Sequence, residues 1–440
     1  MRPWPETMRR ERDGQLTFGG IGVKEMAERW GTPLYVFDEA TLRASARRFQ
    51  HAFRAAYPAS EVVYAAKAYL SPMLVSILRE EGLGLDVASG GEIYAGLAGG
   101  MPGSAMTFHG NNKSEDELRL ALESGIGLIV IDNDWEIDLL ARLTAARAEP
   151  QAVLLRLNPA IDVHTHDKMR TGSIDSKFGF PIATGDAERA VARVKGLPGL
   201  RLTGYHVHVG SQVFDASVVG RTIEAMLAFS AMTSARYDVV PEVISPGGGF
   251  GVTEEGAGPD ASPEEWAAAA AAAMTSGCSR HGLPLPRMIV EPGRAIVGPA
   301  GVALYRVGAR KDIAGVRTYV SVDGGMADNI RPTLYGATYG AALANREGQG
   351  NDETITIAGK YCESGDVLIE QVTLPRLEAN DLVALPMAGA YCLAMASNYN
   401  MATRPAVVLV GEGRVRLIRR RETFEDLLRC DVLPASGGEV

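Results

Sequence analysis

Between about residues 60 and 295 the chain repeats one pattern, a short apolar run followed by a helix-like stretch. The apolar runs fall at 61–66, 84–88, 105–108, 128–131, 152–157, 202–209, 242–245 and 287–290. Amphipathic segments such as 71–80, 91–98 and 114–123 separate them. Parallel strands need a crossover long enough to hold a helix, so this alternation predicts a parallel sheet. Eight repeats predict a closed (β/α)8 TIM barrel. Local signals agree. Gly91-Glu92 opens one helix, and Ser114 with Glu117 forms a capping box for another. Ser262-Pro263-Glu264-Glu265 is a helix start, so the alanine run at 267–273 reads as an outer helix and not a linker.

After Arg294 the texture changes. Runs at 302–307, 316–322, 353–358, 382–384, 406–410 and 413–418 are separated by Gly, Asn and Pro without helices of comparable length. They predict a C-terminal all-β domain, sandwich-like or barrel-like, which the isolated run at 33–37 joins. The expected organisation is an N-terminal segment 1–42 belonging to the β domain, a barrel over 43–296 and the β domain over 297–440. A chain of 440 residues has room for both domains.

Composition excludes several functions. Net charge is −9 and the basic residues are scattered, which argues against nucleic acid. No apolar stretch approaches the roughly 20 residues that cross a bilayer, so no membrane partner is expected. Residues 1–16 are polar and Arg-rich with no apolar core, unlike a secretory signal. Cys278, Cys362, Cys392 and Cys430 are widely spaced and form no CxxC pair, so neither zinc nor a dithiol site is indicated. A reducing cytoplasm is the expected compartment.

Functional groups of a parallel barrel gather at the C-terminal ends of its strands. Lys67 ends the first run. Alone it reads as a lysine that snorkels out of a strand end, because its charge is costly to bury. In a largely apolar pocket its pKa would fall, and the neutral amine could form a Schiff base with an aldehyde. Pyridoxal 5'-phosphate (PLP) needs such a lysine, a partner for its ring nitrogen and a phosphate site. Asp86, His109, Asn158, His208, Gly247-Gly248-Gly249 and Glu291 fall at later strand ends, in register with Lys67. The three glycines before Phe250 suit a phosphate loop, or simply a turn. Ser211 is a second phosphate ligand or a helix cap. Glu291, in Glu-Pro-Gly-Arg, faces a pyridine nitrogen or pairs with Arg294. His208 stacks on a ring or is a core histidine; His206, on the same face two residues earlier, reads as structural. His164 and His166 are spaced like metal ligands but lack a supporting carboxylate or cysteine set, so no metal is expected.

Longer motifs join these residues. They are Tyr64-Ala65-Ala66-Lys67-Ala68, Asp86-Val87-Ala88-Ser89-Gly90-Gly91-Glu92, Phe108-His109-Gly110-Asn111-Asn112-Lys113 and Asp175-Ser176-Lys177-Phe178-Gly179. His206-Val207-His208-Val209-Gly210-Ser211-Gln212 and Glu291-Pro292-Gly293-Arg294 complete the barrel set. Arg331-Pro332-Thr333-Leu334-Tyr335, Cys362-Glu363-Ser364-Gly365-Asp366, Gly389-Ala390-Tyr391 and Ser397-Asn398-Tyr399-Asn400 follow in the β domain. As an ordered set covering nearly the whole chain, they resemble the fold-type III PLP-dependent decarboxylases, and within them the diaminopimelate-acting branch.

The resemblance implies roles. Lys67 is then the Schiff-base lysine, His208 the ring-stacking histidine and Glu291 the pyridine-nitrogen partner, with Asp86 beside the cofactor. Ser211, Gly247, Gly248, Gly249 and Tyr391 bind the phosphate. Arg294, Arg331 and Tyr335, with Tyr391 close to the substrate, take its distal carboxylate, for which a planar guanidinium is suited. Glu363 takes the distal ammonium, and Cys362 reprotonates the carbanion. The resemblance further implies a homodimer in which Cys362 and Glu363 enter the partner's site. The reaction implied is decarboxylation of meso-diaminopimelate at its D centre to L-lysine. The segment Lys168-Met169-Arg170 departs from the family pattern beside the substrate mouth. It leaves open a related decarboxylase acting on ornithine, lysine, arginine or carboxynorspermidine. A non-catalytic PLP-binding relative would be expected to lose Lys67 or Cys362, and both are present.

Overall fold

A computed structural model describes residues 3–161, 175–253 and 262–432. It divides into two units, one spanning Leu42–Gly298 and one built from the sequence on either side of it.

The first unit is the expected barrel. Its strands are β1 Ser60–Ala65, β2 Gly84–Val87, β3 Met106–Phe108, β4 Leu128–Ile131, β5 Gln151–Asn158, β6 Leu200–His206, β7 Val243–Gly247 and β8 Arg287–Val290. Each pairs in parallel with the next. β8 returns to β1 with Val290 opposite Val62, which closes the ring. A two-residue strand, Phe180–Pro181, runs beside β5.

Side chains alternate across a strand, so every second residue points inward. Val63, Leu128, Val130, Leu154, Val243 and Ile289 form the buried plug of the barrel. Two residues further along β5, β7 and β8 the inward positions turn polar, as Arg156, Ser245 and Glu291. All three are buried, as are Asp86 and His206 on the neighbouring strands. Apolar packing thus fills the lower barrel, and the upper layer is kept for chemistry.

Outer helices follow the capping signals of the sequence. Ser71 caps Pro72–Glu80 by accepting from the Leu74 N–H, and Ser89 caps Gly90–Ala98 through Glu92. Ser114 with Glu117, and Ser262 with Glu265, make full capping boxes for Glu115–Glu123 and Pro263–His281. Such caps contribute about 1 kcal/mol each by satisfying helix N–H groups that lack internal partners. Among the described residues no helix is long and apolar enough to cross a membrane.

In the second unit the strand order is Val367–Pro375, Asp352–Ala358, Arg317–Val322, Gly301–Ile313, Leu34–Asp38, Ala406–Gly411, Arg414–Arg419. Leu382–Leu385 adds to the long strand Gly301–Ile313 and carries the short strand Ala342–Leu343. Leu34–Asp38 lies inside this sheet, antiparallel to Gly301–Ile313 and parallel to Ala406–Gly411. Leu34, Val36, Val302, Leu304, Val408 and Val410 share one buried cluster, which Leu16 and Phe18 extend.

Two sequence expectations need correction. The sixth barrel run was placed at 202–209, but β6 stops at His206. His208 therefore sits two residues past the strand, in the turn that reaches the glycine loop. The strand Val367–Pro375 was not expected. Its exposed Glu370 and Gln371 interrupt the apolar alternation that marks a strand.

Candidate active site

The C-terminal mouth of the barrel collects the polar groups. β1 ends at Ala65, and a single 3-10 turn, Ala66–Ala68, carries Lys67. Gly293 packs onto this turn: a Cβ there would lie 3.0 Å from Ala65 Cβ and 3.2 Å from Ala68 Cβ. The Ala65 N–H donates to the Pro292 carbonyl at 3.1 Å, so the Glu-Pro-Gly-Arg turn supports the lysine turn directly. Lys67 itself is exposed while its alanine neighbours are buried. Its charge acts on Asp86, Glu92, His109 and His208.

Glu291 lies at the centre of the layer beneath. Ser245 Oγ donates to its Oε1 at 2.9 Å, and His206 Nε2 lies 3.1 Å from its Oε2. His109 Nε2 stands 3.6 Å from Glu291 Oε1 and 3.6 Å from Asp86 Oδ1, just beyond hydrogen-bond range of both. Among the described residues that buried nitrogen has no hydrogen-bond partner. The His109 and His206 rings meet edge to face at 4.7 Å.

The electrostatics are asymmetric. Burial, followed by the charge of Glu291, pushes Asp86 above the usual carboxylate range. Burial alone would raise Glu291 as well, but His206, His109 and His208 outweigh it and hold Glu291 well down. Glu291 is therefore the ionised carboxylate of the two. Burial pushes His109 and His208 well below the ordinary imidazole range, against the raising effect of the Glu291 charge.

Gly247, Gly248 and Gly249 form a cradle that tolerates no side chain. A Cβ at Gly247 would sit 2.4 Å from the Val207 carbonyl oxygen. At Gly248 it would sit 2.1 Å from that of Glu291, and at Gly249 2.1 Å from that of Gly210. Gly247 and Gly249 also have φ of +80° and +93°. His208 Nδ1 accepts from the Gly248 N–H at 3.3 Å, which ties the histidine to the loop. The loop offers an anion its own N–H groups, and the next described helix begins at Pro263. Ser211 is half-buried nearby in sequence. Asn158, at the end of β5, turns its Oδ1 to its own chain and accepts from the Ala160 N–H at 3.0 Å.

Sequence reasoning missed Arg156 and Ser245. Arg156 is buried, stacks 4.3 Å over the Phe178 ring, and lies 3.6 Å from Asp132. The available signal was an arginine inside the apolar run Leu154-Leu155-Arg156-Leu157. His206, read as purely structural, contacts Glu291. With His109 and Glu291 it brings ligand atoms within 4.8 Å of one another, a donor set the sequence did not reveal. His164, His166 and Lys168-Met169-Arg170 lie outside the described residues.

The second unit presents the remaining expected residues. Arg331 opens the helix Arg331–Tyr335; it is buried and its Nη1 donates to Tyr339 Oη at 2.5 Å. Tyr335 is half-buried, and Tyr391 is half-buried with φ of +59°. Cys362 and Glu363 are both exposed. The Cys362 N–H donates to Asn400 Oδ1 at 2.9 Å. Asp366 closes the same loop, accepting from Tyr361 N at 2.8 Å and Met326 N at 2.6 Å.

The donor set fits PLP: a lysine at a barrel mouth, a cradle of glycine N–H groups and a carboxylate held ionised below. Residues 40–298 match the family described as pyridoxal-dependent decarboxylase, pyridoxal binding domain. A diaminopimelate decarboxylase from Bacillus subtilis is 45% identical, covering 97% of each chain. One from Mycobacterium tuberculosis is 40% identical over 98% of this chain and 97% of its own. Diaminopimelate decarboxylase from M. jannaschii, solved with L-lysine, superposes with a TM-score of 0.92 at 31% identity, covering 99% of both chains. A Vibrio vulnificus lysine/ornithine decarboxylase shares the fold, with a TM-score of 0.74 at 23% identity over 89% of this chain and 97% of its own.

Proposed function

Since the chain belongs to the diaminopimelate decarboxylases, a family of pyridoxal-dependent decarboxylases, we propose which of its groups carry each part of the reaction. The reaction is loss of one carboxyl group from diaminopimelate, giving lysine and carbon dioxide. The observation that carries the assignment of groups is the convergence of Lys67, Asp86, His208, the Gly247–Gly249 cradle and Glu291 at one barrel mouth.

Lys67 is the amine that binds the aldehyde of PLP. The N–H groups of Gly247–Gly249, with Ser211 and Tyr391, take its phosphate. His208, tied to Gly248, and Asp86 would hold its ring, and Glu291, as a carboxylate, would favour a protonated ring nitrogen. When bound, PLP supplies the electron sink for the carbon that loses its carboxylate. Arg294, Arg331 and Tyr335 hold the distal carboxylate, and Glu363 holds the distal ammonium. Arg294, Arg331 and Glu363 together match an α-amino carboxylate and so favour meso-diaminopimelate, reacting at its D centre, over ornithine, lysine or arginine, which would leave both arginines unmatched. Cys362 Sγ returns a proton to the reacting carbon. The exposure of Cys362 and Glu363 supports their entry into a second subunit, which makes the active form a homodimer. Four free cysteines support a cytoplasmic location.

The test is product analysis of PLP-loaded protein offered meso-diaminopimelate, L-ornithine, L-lysine, L-arginine and carboxynorspermidine separately. Lysine and carbon dioxide form from diaminopimelate alone, and Lys67→Ala abolishes them. Turnover of another amino acid in its place would overturn the arginine assignment and direct attention to Lys168-Met169-Arg170.

A further inference from the structure

We propose that His206 is a positioning residue, which with Ser245 fixes the orientation and the negative charge of Glu291 toward the cofactor ring. This inference rests on the PLP reading above and deepens it. His206 ends β6 and lies opposite Ser245 of β7 in the parallel ladder, and Glu291 follows β8. The three side chains therefore come from consecutive strands of one rigid wall. His206 and Glu291 are 1% and 4% exposed, so bulk solvent has little access to either. An ionised carboxylate only accepts hydrogen bonds. Here each oxygen has its own donor, Ser245 Oγ on Oε1 and His206 Nε2 on Oε2. Among the described residues His206 Nδ1 is buried without a partner, and Nε2, the atom facing Glu291, is the one with an acceptor for the ring proton.

Charged and titratable groups face Glu291 from most of the barrel. They are Asp86 on β2, His109 after β3, Arg156 on β5, His206 at the end of β6 and His208 two residues beyond it, while Lys67 after β1 acts on Asp86. Among these, only His206 is within hydrogen-bond distance of a Glu291 oxygen. His206→Leu keeps the ring's approximate bulk and removes the donor. The buried carboxylate then gains from taking up a proton, and a neutral acid no longer retains the proton on the ring nitrogen.

The experiment compares His206→Leu, His206→Gln and Ser245→Ala with the unsubstituted protein. The readouts are equilibrium PLP affinity of the apoprotein by fluorescence titration, thermal unfolding, and kcat and KM for diaminopimelate across pH. His206→Leu should bind PLP roughly 10- to 100-fold more weakly, the usual consequence of stranding a buried charged acceptor. Its kcat should fall with KM nearly unchanged, and should recover as pH rises and Glu291 ionises. His206→Gln, which restores a donor, should regain most of the affinity. Ser245→Ala should move both readouts in the same direction, and it stands in if His206→Leu does not fold. PLP affinity within about twofold and an unshifted kcat profile in folded variants would overturn the proposal. If the unsubstituted protein fails to bind PLP, it is the underlying cofactor reading that fails.

Discussion

Lys113 and Glu136 form an ion pair sealed from solvent, with Nζ 2.9 Å from Oε2 and the side chains 1% and 0% exposed. Lys113 Nζ also donates to the Gly110 and Val130 carbonyls at 2.7 Å each. Glu136 in turn accepts from the Asp132 N–H at 3.0 Å. The pair thus pins the loop after β3, which begins with His109, to the loop after β4. Removing one partner leaves a buried uncompensated charge, which costs about 3–5 kcal/mol. Lys113→Met should lose that much in urea unfolding. The double variant Lys113→Met/Glu136→Leu should recover a large part of it. Equal losses in the single and double variants would show that the desolvated charge is not the issue.

Gly248 offers a sharper probe of the glycine cradle. An added Cβ would meet the backbone oxygen of Glu291 at 2.1 Å, and backbone cannot swing aside as a side chain can. Gly248→Ala should cost about 1–3 kcal/mol in stability, as overpacking does. It should also weaken PLP binding at least tenfold, because the loop and Glu291 are displaced together. Fluorescence titration with PLP, next to a thermal melt, checks both effects. Unaltered affinity would remove the loop from the phosphate site.

Asp328 should make the stability of the second unit pH-dependent. It is buried, accepts from Tyr35 Oη at 3.0 Å and Gly325 N at 2.9 Å, and is also bonded to Tyr305. Burial pushes it from 3.8 up to about 6, against the lowering effect of those hydrogen bonds. A carboxyl with a raised folded pKa contributes stability that is complete below pH 4 and is lost as pH rises through 6. The loss amounts to about 2–3 kcal/mol. Urea midpoints across pH 4–7 should fall in this window, and Asp328→Asn should flatten the slope. A slope that survives the substitution would assign it to other groups.

Hybrid dimers test the proposal that two subunits share each site. Lys67→Ala and Cys362→Ala should each be inactive alone. Mixed under conditions that allow subunit exchange, they should recover up to about a quarter of full activity, because half of randomly paired dimers are hybrids with one complete site. No recovery, despite proven exchange, would place Cys362 in the same subunit's site as Lys67.

Much of the barrel was legible because its signals are local. Ser71, Ser114 and Ser262 announce helices whose caps form within three residues, and apolar runs such as 128–131 coincide with strands. The end of β6 was less legible, since Val207 and Val209 continue the apolar alternation past the point where the ladder stops. Lys67, His208 and Glu291 drew notice because each stands in a short motif at or just past a strand end. Arg156, Ser245 and the Glu291 contact of His206 were hidden for a different reason. Each is one inward residue on its own strand, and only closure of the ring puts Ser245 and His206 on Glu291.

The strand Leu34–Asp38 carries one more consequence. All five of its residues are buried between Gly301–Ile313 and Ala406–Gly411, and both neighbours are encoded beyond the whole barrel. During synthesis at 5–20 residues per second, it waits on the order of tens of seconds for its first partner to leave the ribosome. Through that interval a run of Leu, Tyr, Val and Phe has both edges unpaired, the condition under which strands pair with other chains. Until Gly301–Ile313 is made, that segment depends for its solubility on whatever shelters it during translation.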